Sequence, residues 1–193
     1  MIKGSIVALV TPFDEAGSVD HSRLRELINW HIDEGTDAIL VLGTTGETPA
    51  LSEAEQDAIV RTAVAESRGR VPIIANSGCN NTEKTIAKSI RYEKMGADAL
   101  LVITPYYNKP NKSGMKEHFT RTADAVGIPV YIYNVPARTG ICIDAETVGE
   151  LSKHPNIAGI KEASGDMSYV AKISKFAGDD FCIYSGNDDI TIA

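Results

Sequence analysis

No apolar stretch of this 193-residue chain is long enough to cross a membrane. The run near the start, Ile6 to Val10, is shorter than the h-region of a signal peptide. Lysine and arginine nowhere cluster, and a net charge of -7 argues against nucleic acid as a partner. Cysteine is sparse. Cys79, Cys142 and Cys182 form no C-x-x-C pair and have no histidine at zinc-ligand spacing. They read as reduced core or near-core thiols of a cytoplasmic protein. The loop after the first apolar segment, "TPFDEAGSVD", holds neither G-x-G-x-x-G nor a P-loop lysine. The composition that remains is 43% hydrophobic and 23% charged, which suits a globular domain with a sizeable core and a small metabolite as ligand.

One unit recurs. A helical segment closes near a glycine, and a short apolar strand then runs into a polar loop, as in "EGTDAILVLGTTGE", "VPIIANSG", "MGADALLVITPYYN", "GIPVYIYNVP", "PNIAGIKEAS" and "DDFCIYSGND". With "GSIVALVTP" this predicts seven strands, starting near residues 5, 38, 71, 98, 128, 157 and 181, a spacing of 24 to 33 residues. That is the length of a β-α unit. The strands are continuously apolar, as expected of parallel strands covered on both faces. Between them, Leu24, Leu27, Ile28 and Ile32 make one helical face, and Ser52 with Glu55 a capping box. Ile86 with Ile90 and Val148 with Leu151 mark two more helices, and Val170, Ile173 and Ala177 a last stripe. Such alternation allows an open doubly wound sheet or a (β/α)8 barrel. Chemistry gathered at the C-terminal ends of several strands favours the barrel. Seven strands do not close eight, so the expectation is one α/β barrel domain over residues 1–193 with about seven units.

Five strand ends carry the interesting residues. "GTTGE", Gly43 to Glu47, reads as a backbone anion cradle, or as a tight turn before a capped helix. "TPYYNKP" offers adjacent tyrosines, Tyr106 and Tyr107, one for the site and one for a partner surface, or an aromatic loop plug; Lys109 reads as an exposed charge. In "YNVPARTG", with a fixed turn around Pro136, Tyr133 could move protons and Arg138 could grip a carboxylate. The other reading is a buried tyrosine tied to backbone and a surface arginine. "GIKEAS" ends an apolar strand in Lys161. Burial there disfavours the charged amine and leaves a nucleophile able to form a Schiff base with a ketone. The alternative is an ion pair with Glu162, but strand alternation turns Glu162 to the opposite face. "SGNDD" adds Gly186 near the same mouth. His21, His31, His118 and His154 all fall on predicted helices or their ends, so no metal site is expected.

These motifs in this order resemble the dihydrodipicolinate synthases, within the pyruvate-dependent aldolases that also include N-acetylneuraminate lyase. The likeness runs from residue 2 to about residue 188, and Arg138 is its best discriminator, since neuraminate lyases typically lack a matching arginine. The resemblance implies that pyruvate forms an imine on Lys161. The derived enamine then attacks L-aspartate 4-semialdehyde to give 4-hydroxy-tetrahydrodipicolinate, on the route to diaminopimelate and lysine. By similarity Tyr133, Thr44 and Tyr107 relay protons, with Tyr107 entering from a neighbouring subunit of a homodimer or homotetramer. Thr44 and Thr45 would hold the pyruvate carboxylate with Gly186 close by, and Arg138 the carboxylate of the second substrate. No metal or organic cofactor is implied, because the imine is the electron sink.

Two departures accompany the likeness. Family members continue through an eighth strand and a helical C-terminal segment. Lysine-inhibited members usually carry an acidic residue where this chain has Lys84, in a pocket also formed by Asn80 and Tyr106; a cation there predicts weak feedback inhibition. The alternatives are an aldolase acting on a sugar-derived 2-keto acid, a truncated non-catalytic relative that binds pyruvate or a partner subunit, and a phosphate-binding barrel.

Overall fold

The computed structural model describes residues 2–192. Contacts divide the chain into two compact units, Ile2–Asn76 with Arg91–Leu100, and Ser77–Ile90 with the chain from Leu101 onward.

The first unit holds β1 (Ile6–Ala8), α1 (His21–Asp33), β2 (Ala38–Val41), α2 (Glu53–Ser67) and β3 (Ile73–Asn76). β1 pairs with β2 and β2 with β3, both parallel, with Ile6 opposite Ala38 and Ile39 opposite Ile73. All four β2 residues are buried, which explains the unbroken apolar run. Asp20 caps α1 through the Arg23 N–H, and Leu24 and Ile28 are its buried positions. The Ser52–Glu55 capping box forms at the start of α2, with both reciprocal bonds made.

The second unit contains most of α3 (Thr82–Lys94), the end of β4 (Ala99–Ile103), α4 (Lys112–Asp124), β5 (Val130–Asn134), α5 (Pro136–Thr139), α6 (Ala145–Leu151), β6 (Ile157–Glu162), α7 (Met167–Ile173) and β7 (Cys182–Ser185). Asn111, Asp144 and Asp166 cap α4, α6 and α7 with their side chains. β5 pairs with β6 and β6 with β7, again parallel. The β5–β6 register shifts between Val130 and Tyr131: Val130 lies opposite Ile157, but Tyr131 lies opposite Gly159. β6 and β7 approach closely at Gly159, where an added Cβ would stand 2.3 Å from the Cys182 carbonyl oxygen, so only glycine fits.

Among the described residues the strands follow chain order from β1 to β7. A doubly wound sheet reverses its order at a switch point; this one does not. The fold class is therefore α/β, with seven parallel strands of a (β/α)8 barrel among the described residues.

Three local expectations need correction. Within "YNVPARTG" the segment Pro136–Thr139 is the short helix α5 rather than a fixed turn: Pro136 sits at its first position, where the ring presets φ, and Gly140 closes it at φ 69°. The last stripe breaks because α7 stops at Ile173 and a 3-10 turn, Ser174–Phe176, places Ala177 beyond it. There the Ser174 hydroxyl donates back to the Ala171 carbonyl, competing with regular helix. Among the cysteines, Cys142 departs from the expected core or near-core placement. Cys142 is exposed, Cys79 and Cys182 are half-buried, and all three are free.

Candidate active site

Lys161, the penultimate residue of β6, is half-buried between the fully buried Ile160 and the nearly buried Glu162. It lies opposite Tyr133 of β5 and Tyr184 of β7, so these three side chains share one face. Lys161 Nζ stands 4.8 Å from the centroid of the buried Tyr133 ring. Burial pulls the amine below its ordinary pKa, and the Asp188 carboxylate opposes that shift. Gly186 completes the wall: a Cβ there would lie 3.1 Å from Lys161 Cε and 2.8 Å from Ala163 Cβ. Its N–H donates to the Glu162 carbonyl at 2.7 Å. On the same face the ring of Tyr131, one layer down, meets that of Tyr184 edge-on, centroids 5.5 Å apart, and burial drives the Tyr184 phenol far above its usual pKa.

The opposite face carries Glu162. It forms no pair with Lys161. Its carboxylate accepts from Asn134 Nδ2 at 2.7 Å and from the Ser164 N–H at 2.6 Å. Arg138 lies on α5, exposed; its backbone N–H donates to the Val135 carbonyl at 2.9 Å, and its guanidinium has no hydrogen bond or ion pair to the described residues. The Thr139 hydroxyl pins α5 by donating to the carbonyls of Val135 and Ile141 at 3.2 and 2.8 Å.

After β4 the two tyrosines diverge. Tyr107, 89% exposed and at φ 68°, stands clear of the surface. Tyr106 is less exposed, at 36%, and partial burial with the neighbouring Cys79 thiol raises its phenol pKa. Asn108 Nδ2 donates to the Asn80 carbonyl at 3.1 Å, tying this loop to the start of α3. Lys84 is exposed in the first turn of α3, its N–H capped by Asn81 Oδ1. Lys109 is exposed as expected, and its amine also reaches the site of Gly140.

Thr44 and Thr45 belong to the other unit. They open a 3-10 turn, Thr44–Gly46, in which Gly46 and Glu47 donate N–H groups back to Gly43 and Thr44. As the first N–H groups of a helical turn, those of Thr44 and Thr45 have no acceptor among the described residues. Thr44 is half-buried and Thr45 exposed. The turn is held from β1's end: the Thr11 hydroxyl donates to the Gly46 carbonyl at 2.7 Å.

The second unit thus brings together Lys161, Tyr133 and Gly186, with Asp188 near enough to act on the amine. The Asp188 influence, the Tyr131–Tyr184 pair and the Asn134–Glu162 bond were not anticipated. "YIYN" puts Tyr131 on the face of Tyr133, since they are two apart on a strand, but nothing in it points to Tyr184 as the partner. The histidines lie elsewhere. His21 bonds Thr62, His31 stacks edge-on against Trp30, His154 meets Asp124, and His118 is buried against Thr82. Among the described residues no group of three His, Cys, Asp or Glu could hold a metal, and no helix is long and apolar enough to cross a membrane.

The chain has close relatives. The sequence model of the dihydrodipicolinate synthetase family matches residues 1–193. The 4-hydroxy-tetrahydrodipicolinate synthase of Alcanivorax borkumensis is 52% identical over 188 residues, covering 97% of this chain and 64% of that protein. A dihydrodipicolinate synthase structure from Bacillus anthracis superposes with a TM-score of 0.96 at 44% identity, over 99% of this chain and 66% of that one. The chloride-inhibited dihydrodipicolinate synthase of Acinetobacter baumannii, solved with pyruvate, gives 0.95 at 42% identity, over 99% and 66%. The chain spans about 65% of the length of the curated relatives it matches. On these grounds the chain belongs to the dihydrodipicolinate synthetase family.

Proposed function

We propose that the protein condenses pyruvate with L-aspartate 4-semialdehyde to give 4-hydroxy-tetrahydrodipicolinate, with Lys161 as the imine-forming nucleophile. The observation that carries this reading is the half-buried amine of Lys161, depressed in pKa by burial and set 4.8 Å from the Tyr133 ring centroid. A neutral amine attacks the pyruvate ketone, and loss of water leaves an iminium on Nζ. The cationic nitrogen accepts the electrons released when a methyl proton departs, so the imine does the work of a cofactor. The enamine carbon attacks the aldehyde, and the amino group of the adduct then displaces Lys161 as the ring closes.

Within this reading Tyr133, Thr44 and Tyr107 pass protons, Tyr107 being supplied by a second copy of the chain in a homodimer or homotetramer. The exposure of Tyr107 suits that use. The two unbonded N–H groups of Thr44 and Thr45 suit the pyruvate carboxylate. Gly186 leaves the space beside Lys161 into which pyruvate must fit. Arg138, whose guanidinium has no partner among the described residues, takes the carboxylate of the second substrate. The pyruvate in the Acinetobacter baumannii structure supports the substrate assignment. Free thiols suit the cytoplasm as the place of action.

The test is chemical. Incubation with pyruvate and borohydride should add one reduced pyruvyl group, mapping to Lys161, and Lys161→Ala should take up none. Adduct formation at another residue, or unchanged turnover in Lys161→Ala, defeats the proposal.

A further inference from the structure

Directly behind the Lys161–Tyr133 pair lies a second pair on the other face of the same two strands. Asn134 and Glu162 are register partners, one residue along from Tyr133 and Lys161. Their side chains are 0% and 4% exposed. A carboxylate so buried is costly unless fully bonded. Here Oε1 accepts from the Ser164 N–H and Oε2 from Asn134 Nδ2, at 2.6 and 2.7 Å. The other end of the carboxamide, Oδ1, accepts the Ile143 N–H at 3.3 Å, and Nδ2 also reaches Cys142 Sγ at 3.5 Å. The amide orientation is forced, because a carboxylate takes only donors and a peptide N–H only an acceptor.

The bond sits where three strand ends meet. The Ala163 N–H donates to the Asn134 carbonyl and the Gly186 N–H to the Glu162 carbonyl. Ile143, held by Asn134, ends the segment that carries Arg138, and its carbonyl accepts from the Tyr169 hydroxyl at 2.6 Å. One buried bond therefore sets the spacing of the β5 and β6 tips, the seat of Gly186 and the return of the Arg138 segment.

We infer that Asn134 and Glu162 are positioning residues whose buried hydrogen bond fixes Lys161 against Tyr133 from behind the sheet. The inference rests on Lys161 being the reacting amine and deepens that reading. Neither side chain shares the face of the substrate, so neither is a catalytic group.

The polarity of the bond supplies the test. Glu162→Gln leaves one acceptor oxygen for two donors, and Asn134→Asp sets two carboxylates face to face. The double variant restores complementarity. Its new carboxylate accepts from Ile143 and from the new amide, whose oxygen accepts from Ser164. Two reactivities are read: the rate of borohydride-trapped pyruvate addition, and acetylation of Lys161 by acetic anhydride across pH, which needs no pyruvate. Each single variant should slow imine formation about 100-fold, the loss expected for roughly 1 Å of misplacement. Each should also shift the pH midpoint of Lys161 acetylation, and the double variant should recover both. Parental reactivity in both single variants, or a folded double variant no better than either, overturns the inference. Should the single variants not fold, Glu162→Asp takes their place. Its carboxylate is one methylene too short to reach both donors, so slowed addition supports the inference and parental reactivity overturns it. Absence of pyruvate addition to the unsubstituted protein defeats the aldolase reading alone, and the acetylation comparison still decides whether the pair positions Lys161.

Discussion

Gly186→Ala tests how tightly the wall of the Lys161 site is built. The added methyl would lie 2.8 Å from Ala163 Cβ, 3.1 Å from Lys161 Cε and 3.2 Å from the Glu162 carbonyl oxygen. Carbon atoms in good contact are about 3.5–4.0 Å apart, so the overlap with Ala163 is about 0.7 Å or more. Ala163 is buried and has no side-chain torsion with which to yield. The methyl must push the end of β7 outward or slide toward Lys161, whose flexible chain gives way first. Overpacking of this size costs about 1–3 kcal/mol, a fall in Tm of about 2–12 °C for a chain of this length. The larger effect is on chemistry: an amine displaced by roughly 1 Å loses about 100-fold in rate. Gly178→Ala is the control, because a Cβ there meets nothing within 4 Å and its φ lies outside the left-handed region. It should be neutral or stabilise by about 0.4–1 kcal/mol. Thermal melts and borohydride trapping with pyruvate read both effects. A Gly186→Ala protein that forms the adduct at the parental rate would refute the argument, whatever its Tm.

Tyr133→Phe keeps the ring beside Lys161 and removes only the hydroxyl; kcat should fall about 10²–10⁴-fold while the pH midpoint of Lys161 acetylation stays put. Burial holds the His118 imidazole, 2% exposed, down to about 4, so it stays neutral in the fold and protonates first in the unfolded chain. Its stabilisation is therefore whole above about pH 6.5 and drains away as the pH falls toward 4, a loss of about 3 kcal/mol; denaturant melts should show that slope, and His118→Gln should flatten it. The effector pocket expected from Asn80, Lys84 and Tyr106 carries a cation, so added lysine should inhibit weakly, and a steady-state titration showing strong inhibition would contradict this.

Strand positions were legible because fully covered strands are written as unbroken apolar runs. β2 and β6 begin at the expected residues 38 and 157. β3 and β5 start two residues late, at Ile73 and Val130, and each is preceded by a proline, which has no N–H to donate to a ladder. The lysine was legible for a different reason: a cation closing an apolar run is out of place unless something uses it. What could not be read was which neighbour each strand residue meets. That depends on the single-residue register shift between Val130 and Tyr131, which leaves Ala158 without a partner on β5. Without it Tyr133 would lie opposite Ile160, and Lys161 opposite Asn134. The Lys161–Tyr133 pair and the Asn134–Glu162 bond behind it would then be lost together. Front and back of the site thus depend on the same inserted residue, and no local property of "PNIAGIKEAS" announces it. A change that removed the shift should therefore abolish imine formation while leaving every residue named in the site in place.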